Sequence, residues 1–270
     1  MRLFVPLVAL VAYALSLAAI AVWPPLIALT LLVTFPFDRN RAVAGRLLRL
    51  CGAFVSRTFP FWRIRMEGRW PEGKQAYVVV ANHQSFLDIF LLSNLPHEMK
   101  WVAKRSLFKI PWIGWAFWMV GDIAIERGDA ASAAVVMAKA KDYLTHGMHV
   151  MLFPEGTRSR DGKLLPFKPG AFKLALDAGV PILPIAVSGS AHGMPKGTPW
   201  VRPSRLVVRI LEPVSTAEAA AAEGREQVRR IAALRDDVRG RIERALADIT
   251  GESANSTYDR PSPPPGERAG

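Results

Sequence analysis

In the stretch VVVANHQSFLDIF (78–90), three consecutive valines, Val78 to Val80, give way to Asn82 and His83, and an apolar pattern at helical spacing begins after Ser85. A short β-branched run bounded by polar residues reads as a strand buried on both faces, the habit of parallel sheets, with a helix behind it. The same alternation recurs outward from there. Apolar runs at 76–81, 99–103, 121–126, 148–153, 182–187 and 205–211 are expected strands, and 86–94, 130–145 and 170–178 expected helices. The pattern predicts an α/β fold with a mainly parallel central sheet and flanking helices. Beyond it, Ile231, Leu234, Val238, Ile242 and Ile249 recur at helical spacing within 216–250, an amphipathic helical region that packs on the sheet domain. The domain therefore runs over 76–250, and the Pro- and Ser-rich stretch 251–270 is expected to be a disordered tail.

Before the domain lies a segment of another kind. From Leu3 to Phe37 there is no charged residue, and 3–23 is long enough to cross a bilayer as a helix. Pro24-Pro25 is expected to break it, leaving 26–37 as a second, shorter arm. Residues 1–37 thus read as a membrane-embedded helical hairpin, either one span with an interfacial arm or two helices in one leaflet. Residues 38–75 carry nine Lys/Arg against three Asp/Glu, a basic juxtamembrane segment suited to the anionic cytoplasmic leaflet. The 270-residue chain has a formal net charge of +12, so its partners are anionic. With an uncharged apolar N-terminus, membrane lipids fit that charge better than nucleic acid. Cys51 is the lone cysteine, which excludes an intramolecular disulfide and a Cys-rich zinc site.

Three polar clusters follow expected strands directly, and ligands of open parallel sheets gather at those strand ends. The first offers Asn82, His83, Ser85 and Asp88; the second Glu126, Arg127 and Asp129; the third Glu155, Gly156, Thr157, Arg158 and Ser159. Ser85 and Asp88 fit a capping box, which accounts for both as helix-start chemistry. The same spacing lets Asp88, in the first turn, hold the ring of His83 in the loop before it, fixing the tautomer and leaving the other nitrogen as a base. No G-x-S-x-G elbow is present and Cys51 lies outside the clusters, so the base acts on a hydroxyl of the substrate. Arg127 and Arg158 are phosphate candidates, Gly156 allows close backbone approach, and Glu155 orients an arginine or meets a hydroxyl. Nucleotide-binding glycine motifs are absent, and His146 and His149 read as turn residues. The Trp-rich stretch 108–120 suits either the core or the headgroup level of a membrane.

Taken together, these residues resemble the glycerophospholipid acyltransferase family, the type that acylates 1-acyl-glycerol-3-phosphate. NHQSFLD (82–88) is similar to its first motif, GDIAIERGD (121–129) to the second, FPEGTRSRDG (153–162) to the third and VPILPIAVSG (180–189) to the fourth, with AKRSLFKIPWIGWAF (103–117) between the first two. The resemblance covers about 77–211. It implies His83 as general base with Asp88 orienting it, and Arg127, Glu155, Gly156, Arg158 and Lys104 as binders of the glycerol phosphate. The fourth block, with Pro184 near its centre, would support the site or line the acyl path. The donor would be an acyl thioester, on coenzyme A or acyl carrier protein, with no metal or redox cofactor. The setting would be the cytoplasmic face of a membrane. The second motif departs from the family in reading Ala124-Ile125-Glu126-Arg127, which leaves the acceptor open between lysophosphatidate and another lysolipid such as lyso-ornithine lipid. A non-catalytic protein that binds anionic lipid is the alternative from another class.

Overall fold

The computed structural model describes residues 4–159, 162–198 and 200–255. In chain order its elements are α1 (Phe4–Thr34), α2 (Ala42–Arg57), β1 (Trp62–Glu67), β2 (Val78–Ala81), α3 (Leu87–Leu92), β3 (Met99–Lys104), α4 (Ile113–Val120), β4 (Ile123–Ile125), α5 (Ala130–Thr145), β5 (His149–Leu152), α6 (Gly170–Ala178), β6 (Ile182–Ser188), α7 (Ser190–Gly193), β7 (Ser204–Ile210), α8 (Ala217–Ala220) and α9 (Gly224–Asn255). The strands form one sheet in the order β1-β7-β6-β2-β5-β3-β4. All neighbours are parallel except β6 with β7. Strands β2 to β6 therefore all end on one edge, where β1 and β7 begin.

Each of the six expected strands is present, and the alternation of their side chains sorts the core into two layers. Val78 and Val80 point into the layer capped by α5, α6 and α9. Val79 and Ala81 point into the layer that holds Ala12 of α1 and Leu87, Leu91 and Leu92 of α3. All four are fully buried, and burial of each valine is worth about 1.5–3 kcal/mol over leaving it in water.

The N-terminal region corrects two expectations. Helix α1 runs unbroken through Pro24 and Pro25. A proline at position 25 removes the bond to the carbonyl of Ala21, and the indole N–H of Trp112 donates to that carbonyl instead, at 3.0 Å. The hairpin expected within 1–37 is thus a single helix; a different hairpin forms, with its turn at 35–41 and α2 as its second arm, whose first N–H groups are taken by the Asp38 carboxylate at 2.8 Å. The span 38–75 is consequently no loose juxtamembrane stretch. It contains α2 and an edge strand of the sheet, β1. At the other terminus α9 continues to Asn255, into the stretch expected to be disordered; the rest of that tail, 256–270, lies outside the described residues.

Buried charges fasten the hairpin to the sheet. Arg49 of α2 holds Asp122, at the entrance to β4, at 2.6 Å, and its guanidinium lies 4.7 Å over the ring of Trp101. Asp122 also accepts the backbone N–H of Trp101 at 2.9 Å. Glu98 and Lys100 sit 3.5 Å apart beside them, and Lys100 donates to the carbonyl of Val120 at 2.8 Å. Such a set persists only because every charge has an opposite neighbour. Burial nonetheless pushes the Glu98 carboxyl up to about 7.

Candidate active site

The exit of β2 is held rigidly. The Asn82 carboxamide exchanges two hydrogen bonds of 2.8 Å with the backbone of Val187 in β6, extending the ladder one step past the strand. His83 follows, buried at the sheet edge, its ring stacked on Phe153 with centroids 3.9 Å apart. Its Nδ1 lies 2.8 Å from Oδ2 of Asp88. The same oxygen accepts the backbone N–H groups of Gln84, at 2.7 Å, and Ser85, at 2.9 Å. Both readings of the S-x-x-D spacing are realised at once: Asp88 reaches back to the backbone of Ser85, and it holds the histidine. Since the carboxylate only accepts, Nδ1 carries the proton, so that in the neutral ring the lone pair lies on Nε2, the form a general base needs.

Glu155 is placed differently from the sequence expectation. It is 4% exposed and turned inward, with one carboxylate oxygen accepting the backbone N–H of His83 at 2.7 Å and the other that of Leu165 at 3.1 Å. The backbone N–H of Ser159 donates in turn to the carbonyl of His83, at 2.9 Å. The third cluster thus grips the first through the main chain, with both carboxylate oxygens of Glu155 taken by backbone donors. Burial pushes its carboxyl up to about 7, against the pull of the two N–H donors. Its folded pKa therefore lies above the ordinary 4.5, so the stability it contributes is complete below about 4.5 and is lost as pH rises through about 7. At about 1.4 kcal/mol per pH unit this amounts to roughly 3 kcal/mol. Glu98 titrates across the same range, so Glu155→Gln should flatten part of the pH dependence of the denaturation midpoint, not all of it. An unchanged slope in the variant would contradict the assignment.

Beside this loop a groove of about 410 Å³ opens over the ends of β4 and β5, lined by Ile125, Arg127, Phe153, Gly156, Lys168 and Gly170 among others. Arg127 is held below the ordinary arginine value by partial burial and then by the guanidinium of Arg158 nearby. Two guanidiniums held near one another suit a dianion, in a groove that Glu126 and Asp129 also line. Lys104, at the end of β3, is in register with groove-lining Ile125 and so shares its face of the sheet. Gly156 adopts φ +69°, and a Cβ there would lie 3.0 Å from Nζ of Lys168, so glycine serves both the turn and the passage of that lysine. Helix α6 begins at the groove wall with Gly170 and Ala171 and has no side-chain cap, leaving its N–H groups for an anion. Lys168 was not singled out from the sequence; its signal is a basic residue just ahead of a Pro-Gly helix start.

Pro184 lies buried in mid-strand β6, opposite Val80, and its carbonyl accepts the N–H of Leu211 at 3.0 Å; it supports the sheet without lining the groove. His149 proves to be a buried residue of β5 and not part of a turn. Its Nδ1 accepts the N–H of Tyr77 at 3.1 Å, and burial pushes its pKa down to about 4. On the other face of the sheet an apolar cavity of about 140 Å³ runs between the hairpin and the domain, from Phe86 and Phe90 to Trp23 and Pro24. Cys51 lines it, its thiol pushed up to about 11 by burial and so inert. Among the described residues no three His, Cys, Asp or Glu side chains converge as a metal set.

Against known proteins, the Acyltransferase family model matches residues 63–188. The chain is 36% identical over 220 residues to a 1-acyl-sn-glycerol-3-phosphate acyltransferase of Chlamydomonas reinhardtii, covering 76% of this chain and 66% of that one. It is 33% identical over 209 residues to a 1-acyl-sn-glycerol-3-phosphate acyltransferase of Salmonella typhimurium, covering 75% and 81%. The chain spans less than half the length of the chloroplast relatives from plants. Among solved structures, the 1-acyl-sn-glycerophosphate acyltransferase of Thermotoga maritima superposes with a TM-score of 0.72 at 27% identity, covering 92% of this chain and 97% of that one.

Proposed function

Because the chain belongs to the family of 1-acyl-sn-glycerol-3-phosphate acyltransferases, we propose that it transfers a fatty acyl group from a thioester to the free hydroxyl of 1-acyl-glycerol-3-phosphate, giving phosphatidate. The observation that carries this reading is the buried Nδ1–Asp88 contact at a strand end, next to a groove lined by Arg127 with Arg158 near it. Nε2 of His83 takes the hydroxyl proton as the oxygen attacks the thioester carbonyl. The tetrahedral intermediate then expels the thiolate, which recovers the proton from the imidazolium and leaves as thiol. Asp88 steadies the imidazolium. Arg127, Arg158, Lys104 and Lys168 hold the phosphate, and Gly156 lets it approach the backbone. The donor is coenzyme A or acyl carrier protein, and the chemistry asks for no metal or redox cofactor.

The apolar cavity that starts at Phe86, beside the histidine loop, would take the first few carbons of the acyl chain, being at about 140 Å³ too small for the whole of it. Its neighbour α1 supports a membrane setting of a particular kind. A stripe of Ala9, Ala12, Ser16, Ala19 and Ile27 is buried along the domain, while Leu7, Leu10, Leu15, Leu29 and Leu32 are exposed. A helix packed on the domain along one side and apolar on the others lies in one leaflet instead of crossing. The basic residues of 39–74 favour the cytoplasmic face. Both lysolipid and product reside in the bilayer, so an enzyme seated there meets them in two dimensions.

The reading is tested by acyl transfer with purified protein, from acyl-CoA and acyl carrier protein, across a panel of lysolipids that includes lyso-ornithine lipid. Lysophosphatidate should be the preferred acceptor, since the groove offers Arg127 and Lys168, with Arg158 near them, to a phosphate monoester. Preference for an acceptor without that group keeps the chemistry and moves the substrate. No transfer to any acceptor, with lipid binding intact, leaves a binding protein.

A further inference from the structure

The segment Met194–Arg202 leads into β7 at the same sheet edge as His83, and it is tied to the site from both sides. The hydroxyl of Ser85 donates to the carbonyl of Met194 at 2.5 Å, and Nζ of Lys196 donates to the carbonyl of Arg158 at 3.1 Å. Met194 and Val201 pack on the core layer that contains Ala12 of α1. A chain of rings continues the connection: Tyr13 of α1 lies 5.3 Å from Phe59, Phe59 lies 4.2 Å from Trp62, and the Trp62 indole donates to the carbonyl of Arg202 at 3.1 Å. Trp200 is 74% exposed. An indole left in water is a large apolar surface without a partner among the described residues. The surrounding sequence is basic, with Lys196, Arg202, Arg205 and Arg209 and no Asp or Glu between Asp177 and Glu212.

We infer that this segment is a second membrane contact, in which Trp200 enters the headgroup region of an anionic bilayer. It stands beside the N-terminal half of α1, whereas Trp112, Trp115 and Trp118, all partly exposed, stand beside the C-terminal half through the Trp112–Ala21 bond. Aromatic residues thus stand beside the helix at two levels, near Tyr13 and near Ala21, and interfacial indoles of this kind would seat the catalytic edge at the lipid surface. Phosphate groups of the bilayer complement Lys196 and Arg202. The inference rests on the reading that the enzyme draws its acceptor from a bilayer, and it assigns the loop, through Ser85 and Arg158, the part of holding the site at the right depth.

The test uses the full chain in vesicles of equal parts phosphatidylcholine and phosphatidylglycerol. In a Cys51→Ala background, Trp200→Cys and, as control, the exposed α5 position Val135→Cys are each labelled with an environment-sensitive fluorophore. The probe at 200 should shift to the blue, be quenched by lipids brominated near the headgroup and become shielded from iodide, while the probe at 135 stays open to iodide. Trp200→Ser should raise the apparent KM for lysolipid presented in vesicles several-fold and leave turnover of short-chain monomeric lysolipid unchanged. Equal iodide access at both positions overturns the inference. So does shielding of position 200 that appears only when acyl carrier protein is added, which makes the loop a carrier dock. The fluorescence needs no turnover, so an inactive protein with a buried probe at 200 refutes the acyltransferase reading and leaves this one standing.

Discussion

His83→Ala should lower acyl transfer by about 10²–10⁴-fold, the span that a positioned general base contributes, while vesicle binding stays at the wild-type level. The residue is held three ways, its ring by Asp88 at 2.8 Å and by Phe153 at 3.9 Å between centroids, and its backbone N–H by Glu155 at 2.7 Å. Only the first two are lost in the variant. The backbone bonds of Gln84 and Ser85 to Asp88 survive, and so does the grip of Glu155 on the backbone of residue 83. The loop should therefore keep its shape and the loss be chemical. Initial rates with saturating acyl-CoA, alongside sedimentation with vesicles, check both halves. A variant within tenfold of wild type would remove His83 from the proton path, whatever the geometry suggests. A variant that also fails to bind vesicles would mean the loop had collapsed and must be retested with His83→Gln, which keeps the bulk of the side chain.

How far this arrangement could be read beforehand depended on which physical signal each part carries. Strands β2 and β6 are buried on both faces, so their sequences are unbroken apolar runs and their ends were plain within two residues. Edge strand β1 is WRIRME, apolar and charged by turns, with Arg63 and Arg65 exposed. Its period of two is masked by the arginines, whose charge dominates the stretch and hides the alternation. The break expected at Pro24-Pro25 failed because the missing donor is supplied from Trp112, a residue 91 positions from Ala21. No local rule anticipates such a partner. The His83–Asp88 contact was legible because it is local, five residues apart around a helix start. The role of Glu155 was not, because its partners are backbone N–H groups 72 and 10 residues away, and main-chain donors leave no mark on residue identity.

The second large effect is expected at the groove. Arg127→Ala and Arg158→Ala should each raise KM for lysophosphatidate by roughly 10–100-fold, since a hydrogen bond to a charged group is worth about 1.5–3 kcal/mol. Turnover at saturation should change far less, because the phosphate is held alike in ground and transition states. Nothing in the described surroundings of Arg127 raises its pKa; burial and Arg158 both lower it, so the free protein holds two mutually repelling cations. A bound dianion relieves that repulsion, and removing one arginine relieves it as well. Wild type gains that relief on binding and a single variant does not, so each single loss should somewhat exceed the value of the bond itself, and the double variant should lose less than the product of the two single effects. Lysine at either position should restore part of the affinity as a point charge without the bidentate fork. Kinetics with lysophosphatidate at varied concentration separate KM from turnover directly. If either alanine variant lost turnover at unchanged KM, the guanidinium would be acting on the reacting carbonyl, and the phosphate would have to be sought at Lys104 and Lys168 instead.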